Sequence, residues 1–190
     1  MHRAPPRRAR SCTRRCRRPR SLCRIDARAR SSQRDAISLA VTDWKAAGRA
    51  RNIGITTSRD PQYGDLAAAM EKYPIDFVQL DYSIADRIPE QRLLPLAEER
   101  GIAVLVNRPF GSGTLFGRVR GKELPEWASE FDCRSWAQFF LKFLVSHPAV
   151  TCAIPATSDP VHLRDNMGAG VGRMPTPALR ARMIAYFESL

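Results

Sequence analysis

The segment GIAVLVNRPFGSG, residues 101–113, is an apolar run that ends in Asn107 and Arg108 and continues into a loop with glycines on both sides of Ser112. Glycine carries no Cβ, so a loop of this composition lets backbone N–H groups come close to phosphate oxygens. Taken alone, the same glycines and Pro109 favour a simple turn. The segment therefore poses two alternatives, a phosphate-binding loop or a turn.

Polar residues also follow three other apolar segments of the chain. These segments and the one before Asn107 read as strands, because they are short, apolar and separated by helical patterns. Since carboxyl ends of parallel strands meet on one face, the residues that leave those ends are the candidates for chemistry. They are Thr56–Thr57, Asp81–Ser83, Asn107–Ser112 and Ala156–Thr157.

Helix signals separate these strands at regular intervals. Asp159 with Pro160 and Thr176 with Pro177 are typical of a capped helix start, and Asp60 with Pro61 gives the same signal earlier in the chain. Gly48 and Gly101 are typical helix terminators, and Pro95 should kink or shorten the helix that contains it. Apolar strands alternating with helices predict an α/β fold with a parallel sheet.

Four motifs of the chain resemble the carboxyl-terminal half of an aldo/keto reductase. They occur in the family's order and spacing and together span about residues 40–170. The resemblance implies part of a (β/α)8 TIM barrel, with about four parallel strand–helix units, and a reaction in which a nicotinamide cofactor gives a hydride to a carbonyl. The motifs are DWKAAGRARNIGITTS, DFVQLDYS, GIAVLVNRPFGSG and HPAVTCAIPATSDPVHLRDN.

The resemblance implies that the nicotinamide and pyrophosphate bind at these strand ends. Asn107 matches the position from which many family members stack an aromatic ring on the nicotinamide. Thr56 and Thr57 match the pair that holds the carboxamide, with Gln79 beside them. The loop that would wrap the pyrophosphate contains Pro109, Phe110, Gly111 and Ser112.

The adenosine end of the cofactor is implied to lie after the last strand. Ala156, Thr157 and His162 stand where the family often has a basic residue, a hydroxyl and an arginine for the 2′-phosphate, and Asp165 and Asn166 match the acid and amide that contact adenine. Two positive charges are missing relative to that pattern. We therefore expect NADP or NAD as cofactor, with NADH more plausible than is usual in the family.

The catalytic residues of the family have no counterpart in this match. Hydride transfer to a carbonyl needs a proton donor, and the family uses a Tyr, assisted by Lys, Asp and His, from the second, third and fourth strands. The match begins just before the fifth strand, so we predict no catalytic residue in this chain. A full barrel takes about 250 residues. We therefore expect residues 35–190 to form a truncated half barrel that binds the cofactor weakly and self-associates through its exposed edges.

Residues 1–34 differ in composition from the rest. Residues 1–35 contain thirteen Arg, no Lys and two Asp, which accounts for +11 of the formal net charge of +12. Without aromatic residues this segment cannot bury enough apolar surface to fold, so we predict a disordered basic tail. It can bind RNA by counterion release, act as a mitochondrial transit peptide, or be an artefact of a misread gene start; an export signal would need an apolar segment that it lacks.

Three functional hypotheses follow. The first is an oxidoreductase fragment of the aldo/keto reductase type that needs its missing half to act on a small carbonyl substrate. The second is a non-catalytic dinucleotide-binding or subunit-like half barrel. The third and least favoured is nucleic-acid binding through the tail. No membrane-spanning segment is expected, since Lys142 interrupts the longest apolar run, and the cysteine spacing predicts neither a disulfide framework nor a zinc site. We expect a cytoplasmic protein.

Overall fold

A computed structural model describes residues 23–26, 40–57 and 60–190. Their strands form one parallel sheet in which each strand lies beside the next strand of the chain. The four strands expected from the sequence are confirmed, and a further strand precedes them. The strands are β1 (Cys23–Asp26), β2 (Ile53–Thr56), β3 (Phe77–Asp81), β4 (Ala103–Asn107) and β5 (Val150–Ala153).

Strand β1 lies in the segment that we expected to be a disordered tail. Its backbone pairs with β2 in parallel register, with Cys23 opposite Ile53 and Asp26 opposite Thr56. For residues 23–26 the structure thus replaces disorder with an edge strand, which takes its hydrogen bonds from a neighbour and needs little apolar surface of its own. The rest of the expected tail, residues 1–22 and 27–34, lies outside the described residues.

Helices connect the strands and follow the last one. They are α1 (residues 40–46), α2 (Tyr63–Lys72), α3 (Leu93–Arg100), α4 (Thr114–Arg118), α5 (Trp136–Val145), α6 (Pro160–Gly168) and α7 (Pro177–Glu188). Among the described residues, no helix has the length and apolar character needed to cross a membrane.

The local signals for α6 and α7 are confirmed in atomic detail. Asp159 accepts a hydrogen bond from the N–H of Val161 at 2.7 Å, and Thr176 accepts one from Leu179 at 3.3 Å. These side chains satisfy donors that the first helical turn leaves unpaired.

Two other helices begin later than the sequence indicated. Pro61 lies in a short 3-10 turn, and α2 starts after it at Tyr63. The expected helix that contains Pro95 is split into a 3-10 turn at Ile88–Gln91 and the eight-residue α3. Pro95 falls in the first turn of α3, where its missing N–H costs no helical hydrogen bond. The α-helix begins only two residues before this proline and is therefore shortened, as expected.

The two faces of the sheet differ in burial. Val78, Leu80, Val104 and Val106 are fully buried, whereas Gln79, Leu105 and Asn107, which alternate with them along the strands, are partly exposed. Side chains alternate between the faces of a strand. In β3 and β4 one face therefore packs against helices, and the other is partly exposed at Gln79, Leu105 and Asn107.

Helix α5 supplies the aromatic part of the core and one buried charge. Phe139, Phe140 and Phe143 are fully buried, and so is Lys142. The Lys142 ammonium donates to the carbonyl oxygens of Val171 at 2.7 Å and Arg173 at 3.0 Å. This lysine thus fastens the segment between α6 and α7 to α5.

Candidate functional site

Two adjoining clefts lie where β4 and β5 end. Their volumes are about 590 Å³ and 430 Å³, and both are lined by Phe110, Phe116 and Ala156. Because they share these walls, the two clefts lie side by side, and we call them together the strand-end groove. Its first part lies beside the loop after β4, and its second part lies beside the start of α6.

The first part collects the residues predicted around β4. Asn107, Pro109, Phe110 and Ser112 line it, together with Ala156 from the loop after β5. Parallel pairing explains this convergence, because the carboxyl ends of neighbouring strands lie side by side. Parallel strand order alone was therefore enough to predict that these residues lie close together.

The loop after β4 has an unusual backbone. Gly111 and Gly113 have φ values of +56° and +91°, and Ser112 between them has a φ of +57°. The N–H of Gly111 donates to the carbonyl oxygen of Arg108 at 2.8 Å, and that of Gly113 donates to Phe110 at 2.9 Å. For these two N–H groups the turn alternative describes the structure, so phosphate binding here would depend mainly on other groups of the loop.

Gln79 extends the site from β4 to β3. Its Nε2 donates to Asn107 Oδ1, which fixes the two amides relative to one another. Thr56 pairs with Gln79 in the sheet, and the N–H of Thr57 donates to the Gln79 carbonyl oxygen at 2.9 Å. Both threonines are almost fully buried, and Thr57 Oγ1 contacts Gln62 Oε1 at 2.7 Å. The predicted carboxamide pair thus lies at the next strand end, beside the groove walls rather than among their lining residues.

The second part of the groove brings together the residues predicted for adenosine. Ala156, Thr157, His162, Asp165 and Asn166 line it. Three aromatic residues, Trp136, Phe110 and Phe116, line it as well, and an apolar lining with a few polar groups suits a heteroaromatic ring.

Asp165 has protein partners of its own. Ser135 Oγ donates to Asp165 Oδ2 at 2.6 Å, and Gln138 Nε2 donates to Oδ1 at 2.7 Å. Ser135 also caps α5 by accepting the N–H of Gln138. The spacing Ser-x-x-Gln at a helix start predicts the cap, whereas the bonds to Asp165 join residues about thirty positions apart and have no local sequence signal.

The second part of the groove has little positive charge. Within the described residues, no Arg or Lys lines it, and its ionisable residues are His162 and Asp165. The His162 side chain is 71% exposed and lies 3.9 Å from the carboxylate of its neighbour Asp159. The lining residues of this part of the groove therefore offer a phosphate group no Arg or Lys side chain.

Tyr82, which follows β3, is a packing residue. It is 1% exposed, its hydroxyl donates to Glu90, and Arg180 donates to that hydroxyl at 3.0 Å. Burial, helped by the bond to Glu90, raises the pKa of Tyr82 above its usual value. His147, at the end of α5, packs edge-on against this ring, which agrees with a structural role.

The sequence profile of the aldo/keto reductase family matches residues 22–177. The chain belongs to the aldo/keto reductase family. The match begins before Asp43, where the first of the four motifs starts, and includes β1, so the family region extends into the expected tail.

Curated relatives of this aldo/keto reductase chain are longer than the chain itself. Pyridoxal 4-dehydrogenase of Microbacterium luteolum is 25% identical over 146 residues, which cover 67% of this chain and 42% of that protein. NADH-specific methylglyoxal reductase of Escherichia coli is 33% identical over 91 residues, or 45% of this chain and 25% of that protein. The chain thus spans less than half the length of these relatives.

Solved structures of aldo-keto reductases share the fold. The Bacillus halodurans enzyme in its holo form superposes with a TM-score of 0.67 at 21% identity, covering 87% of this chain and 60% of that one. A Klebsiella pneumoniae enzyme in complex with NADPH gives 0.65 at 19% identity, with 87% and 58% coverage. The fold is therefore part of a (β/α)8 barrel, as the resemblance implied.

Proposed function

We propose that this chain supplies the cofactor-binding half of an NAD(P)-dependent oxidoreductase that reduces a small carbonyl compound. The observation that carries the proposal is the strand-end groove, whose first part is lined by Asn107 and by three residues of the loop matched to pyrophosphate, and whose second part is lined by the residues matched to adenosine. When bound, the cofactor supplies a hydride for the carbonyl carbon, and the carbonyl oxygen takes a proton to give an alcohol.

The residues present fit such a cofactor. Because Gln79 Nε2 donates to Asn107 Oδ1, the other amide atoms of the pair, Gln79 Oε1 and Asn107 Nδ2, are the ones proposed to meet the nicotinamide carboxamide. Ser112 and the turn around it border the path of the diphosphate. The cleft beside Trp136 and Asn166 accommodates adenine, with Asp165 holding α6 in place as well as facing the ligand.

We also propose that the chain binds NADH at least as well as NADPH. A 2′-phosphate would lie near the second part of the groove, where the described residues provide no Arg or Lys and where Asp165 is negative. Charge repulsion and the lack of a cation both oppose the phosphate. The name of one relative, the NADH-specific methylglyoxal reductase, is compatible with this preference.

The proton donor is proposed to lie outside the described half barrel. Every tyrosine of the chain falls within the described residues, and none of them lines the two clefts of the groove. Tyr63 and Tyr82 are committed to buried hydrogen bonds, and Tyr186 stacks on Trp136. The same observation favours a second candidate function, a dinucleotide-binding subunit without turnover of its own.

Titration of the purified chain with NADH and NADPH tests the proposal. Trp136 lines the groove, so cofactor binding should change tryptophan fluorescence and saturate. Carbonyl-dependent oxidation of NADH, measured in parallel, tests the location of the proton donor: saturable binding without turnover is expected of the chain alone, and turnover would show that the chain contains a proton donor. If neither cofactor binds at millimolar concentration, the proposal is wrong.

The remaining features concern assembly and location. We propose that the open edge of the sheet at β5 drives self-association, since Ile154 after this strand and Met167 on the neighbouring α6 are exposed apolar residues. We also propose a cytoplasmic location, supported by Cys133 and Cys152, which are both free thiols, as is usual in a reducing compartment.

A further inference from the structure

Arg108, the residue that follows β4, has a backbone conformation that is unfavourable for its type. Its φ is +46°, in the left-handed region that non-glycine residues seldom occupy. The Arg108 carbonyl oxygen accepts the N–H of Gly111 at 2.8 Å and so belongs to the turn. Glycine would fit this turn with less backbone strain. The arginine at this position therefore suggests a function for its side chain.

The guanidinium of Arg108 is held in position but not buried. Its Nη1 lies 3.1 Å from Asp81 Oδ2, and the side chains are 55% and 10% exposed respectively. Asp81 pairs with Asn107 in the sheet, which makes it a rigid anchor. Among the described residues, Asp81 is the one polar side-chain partner of this guanidinium. Since a guanidinium has five N–H donors in a planar fork, donors remain for a ligand.

Arg108 stands between two cavities. It lines the first part of the strand-end groove with Asn107 and Ser112, and it also lines a smaller cleft of about 180 Å³ that includes Asp86. Asp86 makes the smaller cleft unfavourable for an anion. On the groove side, the charged residues are Asp81, already paired with Arg108, and Arg108 itself.

We propose that Arg108, positioned by Asp81, binds an oxyanion of the ligand in the strand-end groove. Carboxylates and phosphates share the geometry that a guanidinium fork recognises. The oxyanion can be the diphosphate of the dinucleotide or a carboxylate on the small carbonyl compound. The inference deepens the proposed function and depends on it, because it concerns the same groove.

The experiment measures how inorganic pyrophosphate and oxalate bind to the whole chain, by calorimetry, with and without NADH. Three variants are compared with the parent chain. Arg108→Met removes the charge and keeps the aliphatic stem, and Arg108→Lys keeps a charge without the fork. Arg100→Met is the matched control, since Arg100 ends α3, on the side of the sheet opposite the strand carboxyl ends.

We expect Arg108→Met to weaken binding of at least one anion by about tenfold, as is usual for loss of a charged hydrogen bond. Arg108→Lys should fall between this variant and the parent, and Arg100→Met should match the parent. If saturating NADH abolishes anion binding, the dinucleotide diphosphate is the source; if oxalate still binds beside NADH, a substrate carboxylate is the source.

Equal affinity of Arg108→Met and the parent chain would overturn the assignment. So would failure of both anions to bind the parent at millimolar concentration. If the parent binds an anion through Arg108 but does not bind NADH or NADPH, the proposed function fails while the oxyanion site stands.

Discussion

The hydroxyl of Ser135 donates to Asp165 Oδ2 at 2.6 Å and thereby joins the start of α5 to α6. The other oxygen of the same carboxylate accepts from Gln138 at 2.7 Å. A residue that the family resemblance assigned to the ligand is thus also a structural tie between the two helices that border the second part of the groove. Ser135 and Asp165 both line this cleft, so the hydrogen bond holds two of its lining residues together.

Replacing Ser135 with alanine should therefore destabilise the fold. The variant loses the cap of α5 and a hydrogen bond to a charged acceptor, and we expect a loss of about 2 kcal/mol in the free energy of unfolding. Urea denaturation measures it. The control is Ser189→Ala, because Ser189 Oγ donates to the exposed Tyr186 carbonyl oxygen at the chain's end; equal losses in the two variants would contradict the assigned role.

The assignment of the two clefts to the two ends of the cofactor can be tested with fragments. Asn107→Ala removes the amide that contacts Gln79 in the first part of the groove and leaves the second part intact. We expect the dissociation constant for reduced nicotinamide mononucleotide to rise about five- to tenfold, as for loss of one hydrogen bond, and that for ADP to stay within about twofold. Fluorescence titration with each fragment gives both values. A change in the dissociation constant for ADP alone would indicate that the cofactor binds in the opposite orientation.

Cofactor preference should respond to one added charge. His162→Arg places a permanent cation at the rim of the second cleft, next to where a 2′-phosphate would lie. We expect the dissociation constant for NADH divided by that for NADPH to rise about fivefold, because the new cation favours NADPH and a partly exposed ion pair contributes about 1 kcal/mol. The shift should diminish in high salt. His162→Gln, which adds no charge, is the control, and the same shift in both variants would rule out an electrostatic cause.

Polar residues at strand ends were predictable because their positions depend on local sequence. Asn107 and Thr157 follow apolar runs, and parallel pairing then brings any two such ends together. The roles of Arg108 and Lys142 were not predictable in this way. The Arg108 guanidinium has its anchor on the previous strand, at Asp81, and Lys142 meets carbonyl groups from a loop about thirty residues later. Such contacts depend on tertiary packing, to which hydrophobic periodicity gives no access.

The loop after β4 shows a different limit of sequence reasoning. Its glycines were consistent with either a turn or a phosphate site. In the structure the N–H groups of Gly111 and Gly113 donate to carbonyl oxygens within the turn. Composition identifies where glycine is required, but the direction of each N–H depends on φ and ψ at successive residues. Residue type alone does not determine those angles.

Lys142 should make stability depend on pH. Burial lowers the pKa of Lys142 below its usual value of 10.5, although Cys133 and Asp132 oppose this effect. The protonated lysine is therefore penalised in the folded state, and the penalty is relieved as pH rises from the lowered pKa toward 10.5. Relative to Lys142→Met, the parent chain should gain free energy of unfolding between pH 7 and pH 10.

Urea denaturation at both pH values gives this difference directly. Lys122→Met is the matched control, because the Lys122 ammonium donates to the carbonyl oxygen of Leu190 at the surface. A parent chain that gains nothing relative to Lys142→Met, or the same gain relative to both variants, would show that burial of Lys142 does not penalise its charge.

Self-association should depend on the apolar residues beside the open edge of the sheet. Leu163, Met167 and Val171 recur every four residues and are 50%, 67% and 69% exposed, and Ile154 follows the edge strand β5. Exposed apolar residues that adjoin one another are typical of a contact surface. Met167→Glu should raise the dissociation constant of the self-complex by about tenfold, because association would bury a carboxylate without a partner. Analytical ultracentrifugation over a range of concentrations measures it, with Ile88→Glu as control, since Ile88 is also exposed but lies in the turn before α3. A monomeric parent chain, or equal effects of the two variants, would exclude this edge as the contact.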